Sequence, residues 1–208
     1  MIESQDRSGW IGASDSDRVV SNFDTKTFID WWLTKEGVTS NHFESAEMNA
    51  GTHWEHRILE SVNEDMEMDK QILIPELRLR VNLDGNTEDT IYECKTHKAE
   101  KEFKVPLKYK RQVWVQMFGA NLRKAYIVAY GLTENDYLNY LAPLDKARLQ
   151  LFEIEYNEDF INNTYLPRLK YLAHCLEDGI FPTEDDAKEW LKHESKKNFL
   201  KRTLCSLC

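Results

Sequence analysis

Apolar residues recur along the chain with two periods, and the switches between them outline the elements. From Leu77 to Leu83, and again from Thr90 to Lys95, apolar and polar residues alternate, which predicts two strands. Asp84-Gly85-Asn86 between them predicts a turn, so the pair reads as a hairpin. Elsewhere the spacing is helical. Thr25 caps a predicted helix from Lys26 to Glu36, with Phe28, Ile29, Trp32 and Leu33 on its apolar face and Gly37 closing it. A longer helix is predicted from Ser45 to Met66 on the stripe Trp54, Ile58, Leu59 and Val62. Another runs from Tyr109 to Leu122 and carries Val113, Met117 and Ala120 inward. Asp159 to Glu177 is helical with Pro167 as an internal irregularity, and Thr183 caps a last helix through Trp190.

Further strands are expected at Gln71 to Ile74, Lys124 to Tyr130 and Leu149 to Tyr156. Before all of these, a glycine-punctuated entry from Arg7 to Ser14 leads into a short helix reaching about Asn22, capped by Ser14 or Asp15. Helices interleaved with strands in this order predict an α/β fold, a mixed central sheet flanked by helices. No repeat or linker divides the chain, so residues 1–208 are expected to form one domain.

Composition narrows this picture without changing it. Hydrophobic residues at 41% and charged residues at 30% suit an ordinary globular chain. No apolar run approaches the roughly 18 residues of a membrane span, and the first residues lack a signal-peptide pattern, so a cytoplasmic protein is expected. The four cysteines read as thiols; the terminal pair, Cys205 and Cys208, reads as a tail rather than a metal site. A net charge of −9 argues against binding nucleic acid over the whole surface. Residues 98 to 111 run against that balance, with six basic side chains against two acidic ones. An acidic exterior with one basic stretch suits a polyanion held in a groove, and equally a solvated loop.

The candidate chemistry sits on the predicted hairpin. Glu93 and Lys95 are two apart on a strand and share a face, with Asp84 at the end of the neighbouring strand. Glu55, at the edge of its helix's apolar stripe, can reach toward the sheet. Carboxylates for a hard divalent ion with a lysine beside them suit phosphodiester hydrolysis. The plainer reading is a surface hairpin with a Glu93–Lys95 salt bridge. Gln112 and Gln116 are four apart and share a helix face. His53 and His56 flank Glu55, but imidazole is a poor partner for Mg2+. Lys95, placed among cations, is expected to have a lowered pKa that would let it act as a base.

The ordered set Glu55, Asp84, Glu93-x-Lys95 and Gln112 to Gln116 resembles the PD-(D/E)xK nuclease superfamily and its restriction-endonuclease-like core. Within it, Arg7-Ser8-Gly9-Trp10 through Ser14, then Gly51 to Glu55, Leu83-Asp84-Gly85, Glu93-Cys94-Lys95 and Gln112 to Met117 are similar to the lambda exonuclease / YqaJ viral recombinase family. The likeness extends to about Asp178, leaving 179–208 as a C-terminal helix and tail. It implies that Asp84, Glu93 and the Cys94 backbone carbonyl hold Mg2+, or Mn2+ in its place, and that Glu55 completes the site. It implies that Lys95 orients or deprotonates the attacking water and that a glutamine, Gln112 or Gln116, positions it. Arg7 and Ser14 would receive phosphates near a 5′ end. The family also implies a homotrimeric ring on double-stranded DNA ends, 5′-to-3′ digestion, a phage origin and a single-strand annealing partner. For a phage protein the compartment would be the host bacterial cytoplasm.

This chain departs from the family's Gln-x-Gln, having Gln112-Val113-Trp114 instead. The iron–sulfur branch of the superfamily is excluded, because Cys175, Cys205 and Cys208 lack a fourth cysteine placed before Glu55. Two other functions remain in view: an endonuclease on branched or unmodified DNA, and a catalytically silent module that binds DNA ends.

Overall fold

The computed structural model describes residues 8–40 and 45–193. Arg7, Cys205, Cys208 and the basic 196–202 segment lie outside the described residues.

The sheet is organised on β3 (Leu79–Asn86), whose two edges are used unequally. Along one edge β2 (Glu67–Ile74) pairs antiparallel with it over almost its whole length. The other edge is shared. β1 (Ile11–Gly12) runs parallel to Leu79 and Arg80, and β4 (Thr90–Lys98) pairs only through Gly85 with Tyr92 and Asn86 with Ile91. Residues 81–84 thus face a gap between two partners. Beyond β4 the sheet continues with β5 (Lys124–Leu132), parallel, and β6 (Leu149–Glu153), antiparallel. The mixed sheet flanked by helices expected from the sequence is the architecture observed.

The Asp84-Gly85-Asn86 segment is strand, and the turn falls one step later, at Thr87 to Asp89, closed by the Thr87 N–H donating to the Thr90 carbonyl at 2.9 Å. The residues that suggest a turn serve a different purpose. Leu79, Val81 and Leu83 face one core, whereas a Cβ on Gly85 would lie 3.1 Å from the Met66 sulfur and 3.2 Å from Leu59 in the other. The inward-facing alternation therefore shifts at Asp84. Asp69, between Met68 and Lys70 in the facing strand, adopts φ 57°, a left-handed conformation that costs energy for a side chain other than glycine.

Helices cover both faces. On one face, α3 (Ala46–Val62) inserts Ala50, Trp54, Ile58 and Leu59 against Cys94, Val128 and Tyr130. It starts at the Ser45 cap as expected but ends at Val62, four residues early, where Asn63 turns extended. On the other face, α1 (Ser16–Val19), α2 (Lys26–Lys35), α4 (Leu107–Ala120) and α6 (Leu166–Asp178) build the larger core around Phe28, Trp32, Val113, Met117 and Leu172. The expected short helix is split into a 3-10 turn at Ala13–Asp15 and α1. Wide π-helical turns at Phe160–Tyr165 stand directly before α6, next to Pro167, which has no N–H to donate. A five-residue helix, α5 (Glu134–Leu138), is missing from the sequence reading; Thr133 and Asp136 cap it reciprocally. Among the described residues, no helix is long and apolar enough to cross a membrane.

Candidate active site

The gap beside β3 opens into a cleft of about 560 Å³. Its floor is β3 and the start of the β4 divergence, its walls are α3, the 3-10 turn after β1 and the first turns of α4. Arg80, Asn82 and Asp84, alternate residues of β3, all line it. So do Glu93, Cys94 and Lys95 from β4, Glu55 from α3, Gln112 from α4 and Ser14. The described side chains singled out from the sequence therefore meet at one place, apart from Gln116, which lies behind Glu93.

Glu93 is the centre of the arrangement. It is 1% exposed, and every oxygen it has is engaged. Lys95 Nζ lies 2.5 Å from Oε1, Gln112 Nε2 donates to the same oxygen, and Gln116 Nε2 donates to Oε2. Both glutamines thus act on the carboxylate, one on each oxygen, rather than on Lys95. Gln116 also donates to the Asn82 carbonyl at 3.0 Å, a main-chain group that the gap beside β3 leaves without a strand partner. Lys95 Nζ sits 4.9 Å from the centre of the Tyr109 ring, a cation–π contact from the start of α4.

Asp84 takes the position where β3 and β4 part. Its Oδ2 accepts the Cys94 N–H at 2.9 Å and so bridges strands that no longer pair directly. Burial, then the charges of Glu93 and Glu55, push its pKa well above the ordinary range. Glu55 is pushed up to about 7 by burial and by the Glu93 charge. The raised pKa values of Asp84 and Glu55 mark a site short of positive charge. Their all-oxygen donors, with room beside them for water, suit a hard divalent cation.

Burial alone would lower the Lys95 pKa, the direction expected from the sequence, but Glu93 and Asp84 hold it above the usual lysine value, so it stands as an ammonium. The neighbouring anions outweigh the effect of burial.

A second cluster was passed over in the sequence. Glu55, His56 and Asp69 bring possible ligand atoms within 4.8 Å of one another, with His56 Nε2 3.0 Å from Asp69 Oδ2. Among the described residues this is the one such trio, so the ligand atoms of Glu55, Asp84 and Glu93 are not all that close together. Glu55 lies between the two groups. Asp69 carried no sequence signal, since its role depends on the β2–β3 register. The basic stretch is partly neutralised, with Arg111 held by Asp17 at 2.8 Å and Lys104 near Glu102.

Residues 4–123 match the YqaJ-like viral recombinase domain. In fold, the chain is similar to an alkaline exonuclease from Laribacter hongkongensis, at 17% identity over 97% of this chain and 96% of that one, with a TM-score of 0.58. The same exonuclease in complex with dAMP aligns over equal shares at 16% identity with a TM-score of 0.64. A phage-related exonuclease from Haemophilus somnus 129PT aligns over 82% of this chain and 94% of its own at 11% identity, with a TM-score of 0.54. Identities this low establish a common fold. No curated protein matches.

Proposed function

Because this chain belongs to the YqaJ-like viral recombinase family, we propose that it is a metal-dependent exonuclease that digests linear double-stranded DNA from 5′ to 3′. The observation that carries this reading is the convergence of Asp84, Glu93, Lys95 and Glu55 on one cleft, with Gln112 from within the cleft and Gln116 from behind it fixing the two oxygens of Glu93. A silent end-binding module has no use for a buried glutamate held by a lysine and two glutamines. The dAMP in the Laribacter complex is the kind of product such an enzyme would release.

Asp84, Glu93 and the Cys94 carbonyl, with Glu55, are the groups that would hold Mg2+ or Mn2+. When bound, the metal supplies Lewis acidity and lowers the pKa of water. Glu93, pinned on both oxygens, contributes a carboxylate of fixed orientation. Lys95 holds a proton at Nζ, which suits it to donate to the attacking water or to a phosphate oxygen. Ser14 on the cleft wall, and Arg7, would receive the phosphates of the DNA end. Residues 1–208 would act as one exonuclease-like domain, in a homotrimeric ring with a single-strand annealing partner, in the cytoplasm of the phage's host.

The test is release of nucleotides from linear and circular duplex DNA with and without Mg2+. Linear DNA should be consumed only with metal, circular DNA should survive, and Lys95→Ala should lose the activity while melting cooperatively. Digestion of circles would favour the endonuclease, and equal behaviour of wild type and Lys95→Ala would remove the nuclease altogether.

A further inference from the structure

Glu55 and His56 are consecutive residues of α3, and consecutive side chains on a helix do not face each other. Their ligand atoms nevertheless lie close together where Asp69 of β2 meets them. Asp69 falls between the pairs Met68–Gly85 and Lys70–Leu83, level with Asp84 in β3. Its φ of 57° is a conformation that aspartate adopts more readily than most side chains. The result is one imidazole nitrogen and two carboxylate oxygens within 4.8 Å of one another, with His56 Nε2 3.0 Å from Asp69 Oδ2.

A hydrogen bond between His56 and Asp69 accounts for those two residues but not for Glu55. Among the described residues nothing donates a hydrogen bond to the half-buried Glu55 carboxylate, while Glu93 and Asp69 both add negative charge around it. A desolvated carboxylate without a donor is completed by a cation. The donor set decides which one. Mg2+ takes oxygen ligands and keeps its waters, and the carboxylates of the cleft serve it. One imidazole with two carboxylates suits Zn2+, which accepts nitrogen and oxygen donors together and needs only three from the protein when water takes the fourth place.

We infer that Glu55, His56 and Asp69 form a Zn2+ site between α3 and β2, separate from the Mg2+ site and sharing Glu55 with it. Its consequence for activity rests on the reading of the cleft as a nuclease site. Zn2+ held by the trio takes Glu55 away from the catalytic metal, and so inhibits digestion supported by Mg2+.

The test is calorimetric titration of Zn2+ and, separately, of Mg2+ into the full chain carrying Cys205→Ser and Cys208→Ser, which removes the terminal thiols as competing ligands. His56→Asn, Asp69→Asn and Glu55→Gln are made in that parent; asparagine at position 69 keeps the left-handed backbone accessible. Each should weaken Zn2+ binding by at least the roughly 10–100-fold that loss of an outer-shell partner costs. His56→Asn and Asp69→Asn should leave Mg2+ binding unchanged, and Asp84→Asn/Glu93→Gln should leave Zn2+ binding in place. In digestion of linear duplex with Mg2+, the Zn2+ concentration that halves the rate should rise in His56→Asn by the same factor as its Zn2+ dissociation constant. The proposal is wrong if the parent binds no Zn2+, or if His56→Asn, Asp69→Asn or Glu55→Gln binds it as the parent does. It is equally wrong if bound Zn2+ leaves the rate unchanged. A chain that binds Zn2+ through these three residues and digests no DNA would keep the site and overturn the nuclease. Digestion by a chain that binds no Zn2+ there would do the reverse.

Discussion

Gln116 offers the most demanding test of how the site is built. It is 0% exposed, both its amide hydrogens are used, and its Oε1 has no partner. The orientation is fixed by its neighbours, since the Asn82 carbonyl and Glu93 Oε2 are both acceptors. Gln116→Leu leaves those two acceptors buried and unpaired. The bond to the ionised Glu93 is worth about 1.5–3 kcal/mol and the neutral one about 1 kcal/mol. Against this, the substitution removes a stranded Oε1, whose desolvation costs about 1–3 kcal/mol. The net loss should be about 1–2 kcal/mol, or a fall of roughly 2–8 °C in melting temperature for a chain of this size. Gln112→Leu should cost less than about 1 kcal/mol, because Lys95 still holds Glu93 Oε1 and Gln112 is only half-buried. Urea and thermal denaturation without divalent metal give the stabilities, and initial rates on linear duplex give the activities. Activity should fall in both variants. The account of Glu93 as pinned from behind is refuted if Gln112→Leu is the more destabilising, or if Gln116→Leu is neutral in both assays.

Other perturbations test the surroundings. An alanine Cβ at Gly119 in α4 would come 2.6 Å from Val81 Cγ2 of β3, so Gly119→Ala should destabilise by about 1–3 kcal/mol despite alanine's better helix propensity, read by urea titration; a gain in stability would show that α4 and β3 are not in close contact. Mg2+ or Mn2+ should raise the melting temperature of wild type and leave Asp84→Asn/Glu93→Gln unmoved; a rise that survives the double substitution would place the metal elsewhere, with Glu55, His56 and Asp69 the next candidates. Glu184, held by Arg168 through contacts of 3.2 Å on both oxygens, has its pKa lowered by that hydrogen bond, so it stabilises the fold above its unfolded pKa and loses this as pH falls through the lower folded value. Glu184→Gln should accordingly flatten the acid limb of stability against pH, and an unchanged limb would contradict the pairing.

What the sequence discloses is set by how local the cause is. The α2 helix is legible because its Thr25 cap, its apolar face and Gly37, at φ 72°, are all neighbours in the chain. Glu93 and Lys95 follow from a period of two. The placement of the turn fails because Gly85 is present for the close approach of Leu59 and Met66, which are remote in sequence. Lys35 looks like a surface charge at a helix end, although its spacing of seven from Phe28 was a usable sign that it belongs on the buried face. Asp69 and Asn82 could not be found at all. The first depends on a register across β2 and β3, and the second contributes a carbonyl, which any residue type would supply.

Asp84 has two duties, and they complicate any attempt to silence the site. Besides lying in the cleft, its carboxylate accepts the Cys94 amide across the fork where β3 leaves β4. An alanine there would erase a ligand and unfasten the fork together, so a dead Asp84→Ala protein could not say which loss had killed it. Asparagine keeps an oxygen for the amide while discarding the charge. It is the substitution that separates the seam from the chemistry.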